Sequence, residues 1–155
     1  MVRPHQTTRR AAAKDHIMNF SDLEALVGTE LPDGSYLIEP EAHAKAVGAV
    51  HAEDYAFDVA HPVYAHLAPH CGMGWNLPEF FAVVGADMDS GVLFGEGDLT
   101  YHQPMLIGVD YLVRGHIASV ERKRGSRAGV FDLVTLHLEL VDPDNILIVV
   151  SDETY

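Results

Sequence analysis

The C-terminal third of the chain shows the clearest alternation of apolar and polar residues. Between residues 131 and 141, every second position is apolar: Val134, Leu136, Leu138 and Leu140 alternate with Thr135, His137 and Glu139. A period of two is typical of a strand with one buried face. The flanking segments are similar, and turn-forming residues lie at 123–126 and 142–145. We therefore predict that Tyr111 to Glu121, Val130 to Val141 and Ile146 to Ser151 form adjacent antiparallel strands.

The N-terminal half predicts helices. Ser21 and Glu24 form a capping box, and Pro40 suits the first turn of a second helix that reaches Val47. The apolar segment Pro62 to His70 predicts a further helix, and Asn76 predicts the cap of the next one. A sheet with one apolar face needs a cover, and Pro62 to His70 is the candidate. The expected fold is α+β, a hot-dog fold in which a curved antiparallel sheet wraps around one central helix.

Composition is consistent with one domain. With 155 residues, 48% of them hydrophobic, the chain can form one core. We expect a hot-dog domain over residues 21–155 and a flexible arm over residues 1–20, which show no apolar period. Residues 1–19 lack the apolar centre of a signal peptide and no apolar run is long enough for a membrane span, so we expect a soluble, cytoplasmic protein. Cys71, the only cysteine, is expected to be a buried thiol.

Charge is unevenly distributed along the chain. The net charge is -13, so most of the surface repels nucleic-acid phosphates and a nucleic-acid partner is not expected. Residues 114–129 are the exception, with a basic turn that contains Arg122, Lys123, Arg124 and Arg127. Two interpretations stay open: a solvated hairpin tip, or a docking point where Arg122, Arg124 and Arg127 bind the phosphates of a coenzyme A or phosphopantetheine carrier.

The segment 49–61 is irregular and rich in polar groups, as catalytic loops often are. Its candidate catalytic residues are His51, Asp54 and His61. The helix expected after this loop begins with Pro62, Val63 and Tyr64, and the free backbone N–H groups of this first turn are candidates to bind a substrate carbonyl. Histidines at 66 and 70 are spaced for a metal, but no His-Glu-x-x-His pattern surrounds them and the chain has ten histidines. We predict no metal and no cofactor.

Several segments together resemble a known family. They are Val59 to Tyr64 (VAHPVY), Phe94 to Pro104 (FGEGDLTYHQP), Gly108, Val113 to Gly115 (VRG) and Glu121 to Gly125 (ERKRG). Over residues 23–155 the chain resembles the N-terminal, FAS1-like dehydratase branch of the MaoC-like hydratase and dehydratase family. The resemblance implies a hot-dog fold that acts on acyl thioesters of coenzyme A or acyl carrier protein. The implied reaction adds water to a trans-2-enoyl group or removes it from a 3-hydroxyacyl group.

One feature of the family is missing. Active members carry an Asp-x-Asn-Pro-x-His signature before the central helix, and no Asp in this region has a His five residues later. His51, with Asp54 or His61, is the nearest substitute for an acid–base pair. Two functions therefore stay open: a hydratase or dehydratase, or a non-catalytic hot-dog partner that holds the acyl thioester in a heteromer. A conical α+β barrel with cyclase or isomerase activity is the alternative fold.

The last predicted strand suggests a second subunit. The run 146–150 is apolar on both faces, so a sheet that contains it needs cover on both sides. We expect a homodimer, or a heterodimer with another hot-dog chain.

Overall fold

The computed structural model describes residues 18–52, 58–88 and 91–155. It contains a five-stranded antiparallel sheet with the order β1-β3-β4-β5-β2. The strands are β1 (Gly34–Leu37), β2 (Glu96–Tyr101), β3 (Asp110–Gly125), β4 (Gly129–Val141) and β5 (Leu147–Thr154). The prediction that three long strands lie side by side is confirmed, since β4 pairs with β3 on one side and with β5 on the other. The last of these strands runs three residues beyond its predicted end at Ser151.

In the described part of the chain, four helices accompany the sheet: α1 (Phe20–Glu24), α2 (Pro40–Ala49), α3 (Tyr64–Gly72) and α4 (Leu77–Val83). Asn19, rather than Ser21, caps α1, so the predicted capping box at Ser21 and Glu24 is wrong. Asn76 caps α4 as expected, in a capping box with Glu79. The central helix α3 begins two residues after Pro62, because the residues before Tyr64 form a turn.

The core lies between α3 and the sheet. Helix α3 contacts all five strands, and Tyr64, Ala65 and Ala68 on α3 are buried against it. The sheet contributes the alternate residues predicted to face inward, among them Val134, Leu136, Leu138 and Leu140. The backbones approach closely at the end of α3, where a Cβ at Gly34 would overlap the carbonyl oxygen of Gly72. This sheet around one central helix is the hot-dog architecture.

Two further expectations can be compared with the structure. Cys71 is exposed rather than buried, because it lies on the face of α3 turned away from the core. Among the described residues, no helix is long and apolar enough to cross a membrane. Most of the predicted N-terminal arm, residues 1–17, lies outside the described residues.

Candidate functional site

Of the first two predicted catalytic residues, His51 lies in the described part of the chain. His51 is exposed just after α2 and has a positive φ of 51°. Its backbone N–H donates to the carbonyl of Gly48 at 3.3 Å, so it continues the turn that ends the helix. Asp54 lies outside the described residues. The pairing of His51 with Asp54 therefore stays a prediction.

His61 holds the start of the central helix together. The Nδ1 atom of His61 accepts a hydrogen bond from the Val63 N–H at 3.1 Å, and the Tyr64 N–H donates to the His61 carbonyl at 3.0 Å. Pro62 has no N–H to offer. The backbone groups predicted to bind a substrate carbonyl are thus engaged by His61 in this structure.

His43 supports the same turn from α2. Its Nε2 atom accepts a hydrogen bond from the His61 N–H at 2.9 Å, and its ring stacks on Tyr64 with 5.7 Å between the centroids. Burial, followed by the neighbouring His61, lowers the pKa of His43. The lowered pKa fits the geometry, because Nε2 can accept a hydrogen bond only when it carries no proton.

The basic turn between β3 and β4 divides into two parts. Arg122 makes a double hydrogen bond to Asp132, at 2.6 and 2.8 Å, and its guanidinium lies 5.0 Å from the centre of the Phe20 ring. The hydrogen bond to Asp132 is the main cause that raises the pKa of Arg122. Arg124 and Arg127 are exposed and form no ion pair with any described residue. Of the three arginines in this turn, these two are left available for an anion.

A buried carboxylate lies where α3 meets β5. The Glu153 side chain has no exposed surface, and its Oε1 atom accepts a hydrogen bond from the Ser151 hydroxyl at 2.6 Å. His66 Nδ1 lies 3.2 Å from the same oxygen. The second oxygen, Oε2, has no hydrogen-bond partner among the described residues. It faces Gly97 on β2, where a Cβ would come within 3.0 Å of it.

His70 completes this cluster one helical turn further on. Its Nδ1 atom is 3.0 Å from the carbonyl oxygen of His66, and its Nε2 atom is 2.6 Å from the hydroxyl of Tyr155. Burial lowers the pKa of His70, although the nearby Glu153 opposes the shift. Burial and Glu153 both raise the pKa of Tyr155. Both ring nitrogens of His70 therefore have partners, and the ring favours its neutral form.

The sequence spacing identified His66 and His70, but it missed Glu153. One ligand atom from each of the three residues lies within 4.8 Å of the others, so the cluster could hold a metal ion that the sequence did not predict. The sequence alternation does indicate that Glu153 faces inward: it follows Val149 and Ser151 at intervals of two, and all three residues are buried.

The opposite face of the sheet carries an array of charged residues around a depression of about 300 Å³. Arg114 on β3 donates to Glu139 on β4 at 2.8 Å, and His137 Nδ1 lies 2.7 Å from an oxygen of Asp152 on β5. The hydrogen bond from Arg114 is the main cause that lowers the pKa of Glu139. These contacts link neighbouring strands, so we assign this face to sheet stability.

The sequence model of the family "FAS1-like, dehydratase domain region" matches residues 25–150. Among curated protein sequences, none matches this chain significantly.

Solved structures share the fold. The HadBC complex of Mycobacterium tuberculosis, described as a 3R-hydroxyacyl-ACP dehydratase, is 19% identical, with a TM-score of 0.62 over 83% of this chain and 95% of that one. The ChsH1–ChsH2 complex of the same organism is 14% identical, with a TM-score of 0.66 over 86% and 85%. A MaoC-like dehydratase is 23% identical, with a TM-score of 0.60, over 85% of this chain and 42% of that one. At these identities, the likeness shows the hot-dog fold.

Proposed function

This chain belongs to the FAS1-like dehydratase domain family, and from that premise we propose that it takes part in the hydration or dehydration of acyl thioesters. The substrate is a trans-2-enoyl or a 3-hydroxyacyl group carried by coenzyme A or acyl carrier protein. The observation that carries the proposal is the family match over residues 25–150 together with a hot-dog sheet closed around α3. Fold alone would not select this chemistry.

We further propose that the chain works beside a second hot-dog chain. Strand β2 is an outer strand of the sheet, and large apolar side chains next to or on it are exposed: Leu93, Phe94 and Tyr101 are 77%, 53% and 49% exposed. An apolar strand edge of this kind favours a partner that continues or covers it. The structural neighbours HadBC and ChsH1–ChsH2 are complexes of two different chains, which supports a heterodimer; a homodimer stays the alternative.

Substrate recognition is proposed at two places. Arg124 and Arg127 extend from the β3–β4 turn without ion partners among the described residues, and they are free to bind the phosphates of a carrier. The thioester carbonyl is proposed to bind at Pro62, Val63 and Tyr64, where Tyr101 also donates to the Pro62 carbonyl at 3.0 Å. For the Val63 N–H to reach a substrate, the His61 ring must first release it.

Hydration of a short trans-2-enoyl-CoA by the purified chain tests the proposed function. The assay follows loss of the conjugated double bond for the chain alone and mixed with any hot-dog protein that co-purifies with it. Activity in either preparation supports the proposal, and activity only in the mixture identifies a partner-dependent subunit. No hydration in either preparation, and no dehydration of the 3-hydroxyacyl-CoA, would refute it.

A non-catalytic role is the second candidate, and a specific observation favours it. The loop histidine His61 serves as a structural cap, and His51 is exposed beyond the end of α2. Neither contacts the other among the hydrogen bonds of the described residues. If the loop residues supplied all the acid–base chemistry, His51→Ala would reduce the rate by roughly a hundredfold or more. An unchanged rate would exclude His51 from that role.

A further inference from the structure

We propose that His66 and Glu153 form the acid–base pair of this chain, with His66 Nε2 as the proton-transferring atom and Glu153 as the residue that positions the ring. The inference rests on the proposed function for its substrate, an acyl thioester with a 2,3 double bond or a 3-hydroxyl group. It places the chemistry on the exposed face of α3 rather than in the loop that contains His51 and Asp54.

The hydrogen bonds fix which nitrogen is basic. A carboxylate oxygen only accepts hydrogen bonds, so the 3.2 Å contact between Glu153 Oε1 and His66 Nδ1 places the proton on Nδ1. The lone pair of the neutral ring then lies on Nε2, which has no hydrogen-bond partner among the described residues. A carboxylate that orients a histidine in this way also stabilises the imidazolium formed when the ring takes up a proton.

The burial of Glu153 strengthens this effect. Its side chain has no exposed surface, one of its oxygens is unpaired, and its ion-pair partners in the described part of the chain are two histidines, with no lysine or arginine. A buried, uncompensated carboxylate is costly. His70 does not compensate it, because burial favours the neutral form of that ring. The Glu153 carboxylate is therefore left with the hydrogen bond to His66 as its contact with the exposed face of α3.

The position of His66 allows a substrate to reach it. The His66 side chain is 47% exposed, whereas its partner is completely buried. The ring of Phe94 meets the His66 ring edge to face at 5.9 Å, and Phe94 is itself about half exposed. An acyl chain can pack on this apolar surface beside the proton-transferring nitrogen.

A metal ion is the competing occupant of the cluster. His70 would be its third ligand, but Nδ1 of His70 contacts the His66 carbonyl and Nε2 contacts the Tyr155 hydroxyl. Metal binding through Nδ1 would break the first of these hydrogen bonds, and binding through Nε2 would break the second. The acid–base pair needs no such change, so the observed hydrogen bonds favour it.

In the hydration direction, His66 Nε2 accepts a proton from water as the water oxygen bonds to Cβ of the enoyl group. The π electrons of the Cα=Cβ bond move towards the thioester carbonyl and give an enolate. The imidazolium then returns its proton to Cα, so that one H and one OH have been added and the ring is neutral again. Dehydration follows the same steps in reverse.

The test uses His66→Asn, in which the amide still donates to Glu153 but the basic Nε2 atom is lost. His116→Asn is the matched control, because His116 lies on the opposite face of the sheet, against His137. In the preparation that hydrates a short enoyl-CoA, we expect His66→Asn to lower kcat by about a hundred- to ten-thousandfold with little change in KM. The control should keep the wild-type rate.

Glu153→Gln tests the positioning role through the tautomer of the His66 ring. The glutamine amide can present either its oxygen or its NH2 group to Nδ1, so the proton is no longer fixed on Nδ1, and kcat should fall with little change in KM. Nitrogen-15 shifts of the ring should show a proton on Nδ1 in the wild type and a mixture of tautomers in the variant. The tautomer and the His66→Asn rate remain decisive even if Glu153→Gln does not fold.

The outcomes separate this inference from the proposed function. A wild-type chain that hydrates enoyl-CoA at an unchanged rate after His66→Asn would overturn the pair and leave the proposed function standing. A neutral His66 ring with its proton on Nε2 would also overturn the pair. Activity that is abolished by a chelator and restored by Zn²⁺ would reassign the cluster to a metal. A wild type that is inactive in every preparation would overturn both proposals.

Discussion

His43 is predicted to be the residue that fastens the start of the central helix. His43 is 8% exposed, its ring accepts the His61 N–H at 2.9 Å, and the ring stacks on the buried Tyr64. His43→Phe keeps a flat ring in this position and removes the acceptor. The His61 N–H, which is partly buried, is then left without a partner, and the expected loss is about 1–3 kcal/mol in the free energy of unfolding.

The same hydrogen bond predicts a pH dependence. The pKa of His43 is lowered in the folded state, so the unfolded chain binds more protons as the pH falls below the ordinary histidine value of 6.5. The stability that neutral His43 contributes is present above that value and is lost as the pH falls through the folded pKa. His43→Phe should therefore show a smaller loss of stability on acidification than the wild type. Part of the loss should remain, because the pKa of His70 is lowered as well.

Urea unfolding followed by circular dichroism at about pH 7.5 and pH 5.5 measures both effects. The control is His102→Ala, since His102 is exposed and, among the described residues, its one hydrogen bond runs from its backbone N–H to the carbonyl of Ile148. The change should stay within about 0.5 kcal/mol. If His43→Phe unfolds at the wild-type urea concentration at both pH values, the hydrogen bond does not stabilise the helix start. An equal loss of stability on acidification in variant and wild type would show that His43 is not the titrating group.

Two further predictions concern charged residues. Arg114→Gln removes the hydrogen bond that lowers the pKa of Glu139. The stability that this pair adds, about 0.2–1 kcal/mol for an exposed pair, is present above pH 4.5 and is lost as the pH falls through the folded pKa. The thermal unfolding temperatures at pH 7 and pH 3 should therefore differ less in the variant than in the wild type. Replacing Arg124 and Arg127 together with Ala should weaken the binding of coenzyme A esters at low salt, and less so at high salt. Lys45→Ala, which removes one exposed charge on α2, should leave the affinity unchanged. If calorimetric titration gives equal affinities for the wild type and both variants, the turn is a solvated hairpin tip.

The sheet could be predicted from sequence because strand register and burial depend on the same period of two. Strands β3 and β4 have long alternating segments, and their inward residues include Val113 and Leu138, both fully buried. The end of β5 was harder to predict, since Asp152 and Glu153 look like the polar end of a strand. They stay in the sheet because β2 pairs with them, Gly97 opposite Glu153 and Asp98 opposite Asp152. That pairing is a long-range contact that a local pattern does not contain.

The helix start was misplaced for a similar reason. Pro62 is a common first residue of a helix, and this preference led to the prediction that α3 begins there with free N–H groups. In the structure, the His61 ring turns back to accept the Val63 N–H, and His43, eighteen positions earlier in the sequence, accepts the His61 N–H. A capping partner so distant in sequence depends on the stacking of His43 on Tyr64, so local propensity cannot predict it.

The spacing of the two histidines on α3 predicts where their rings lie but not their chemistry. The interval of four between His66 and His70 correctly places both rings side by side, with 4.3 Å between their centroids. Their chemistry depends on Glu153, because a carboxylate at Nδ1 leaves the lone pair of His66 on Nε2, whereas an apolar residue there would leave the tautomer of His66 unfixed. The glutamate could have been suspected from the alternation Val149, Ser151, Glu153, since a charged residue at an inward position is costly and needs a reason. The alternation shows only that Glu153 faces the helix, and the fold is needed to show that it contacts His66. The missing signature directed the prediction to His51 in the loop, whereas the buried carboxylate lies on the last strand.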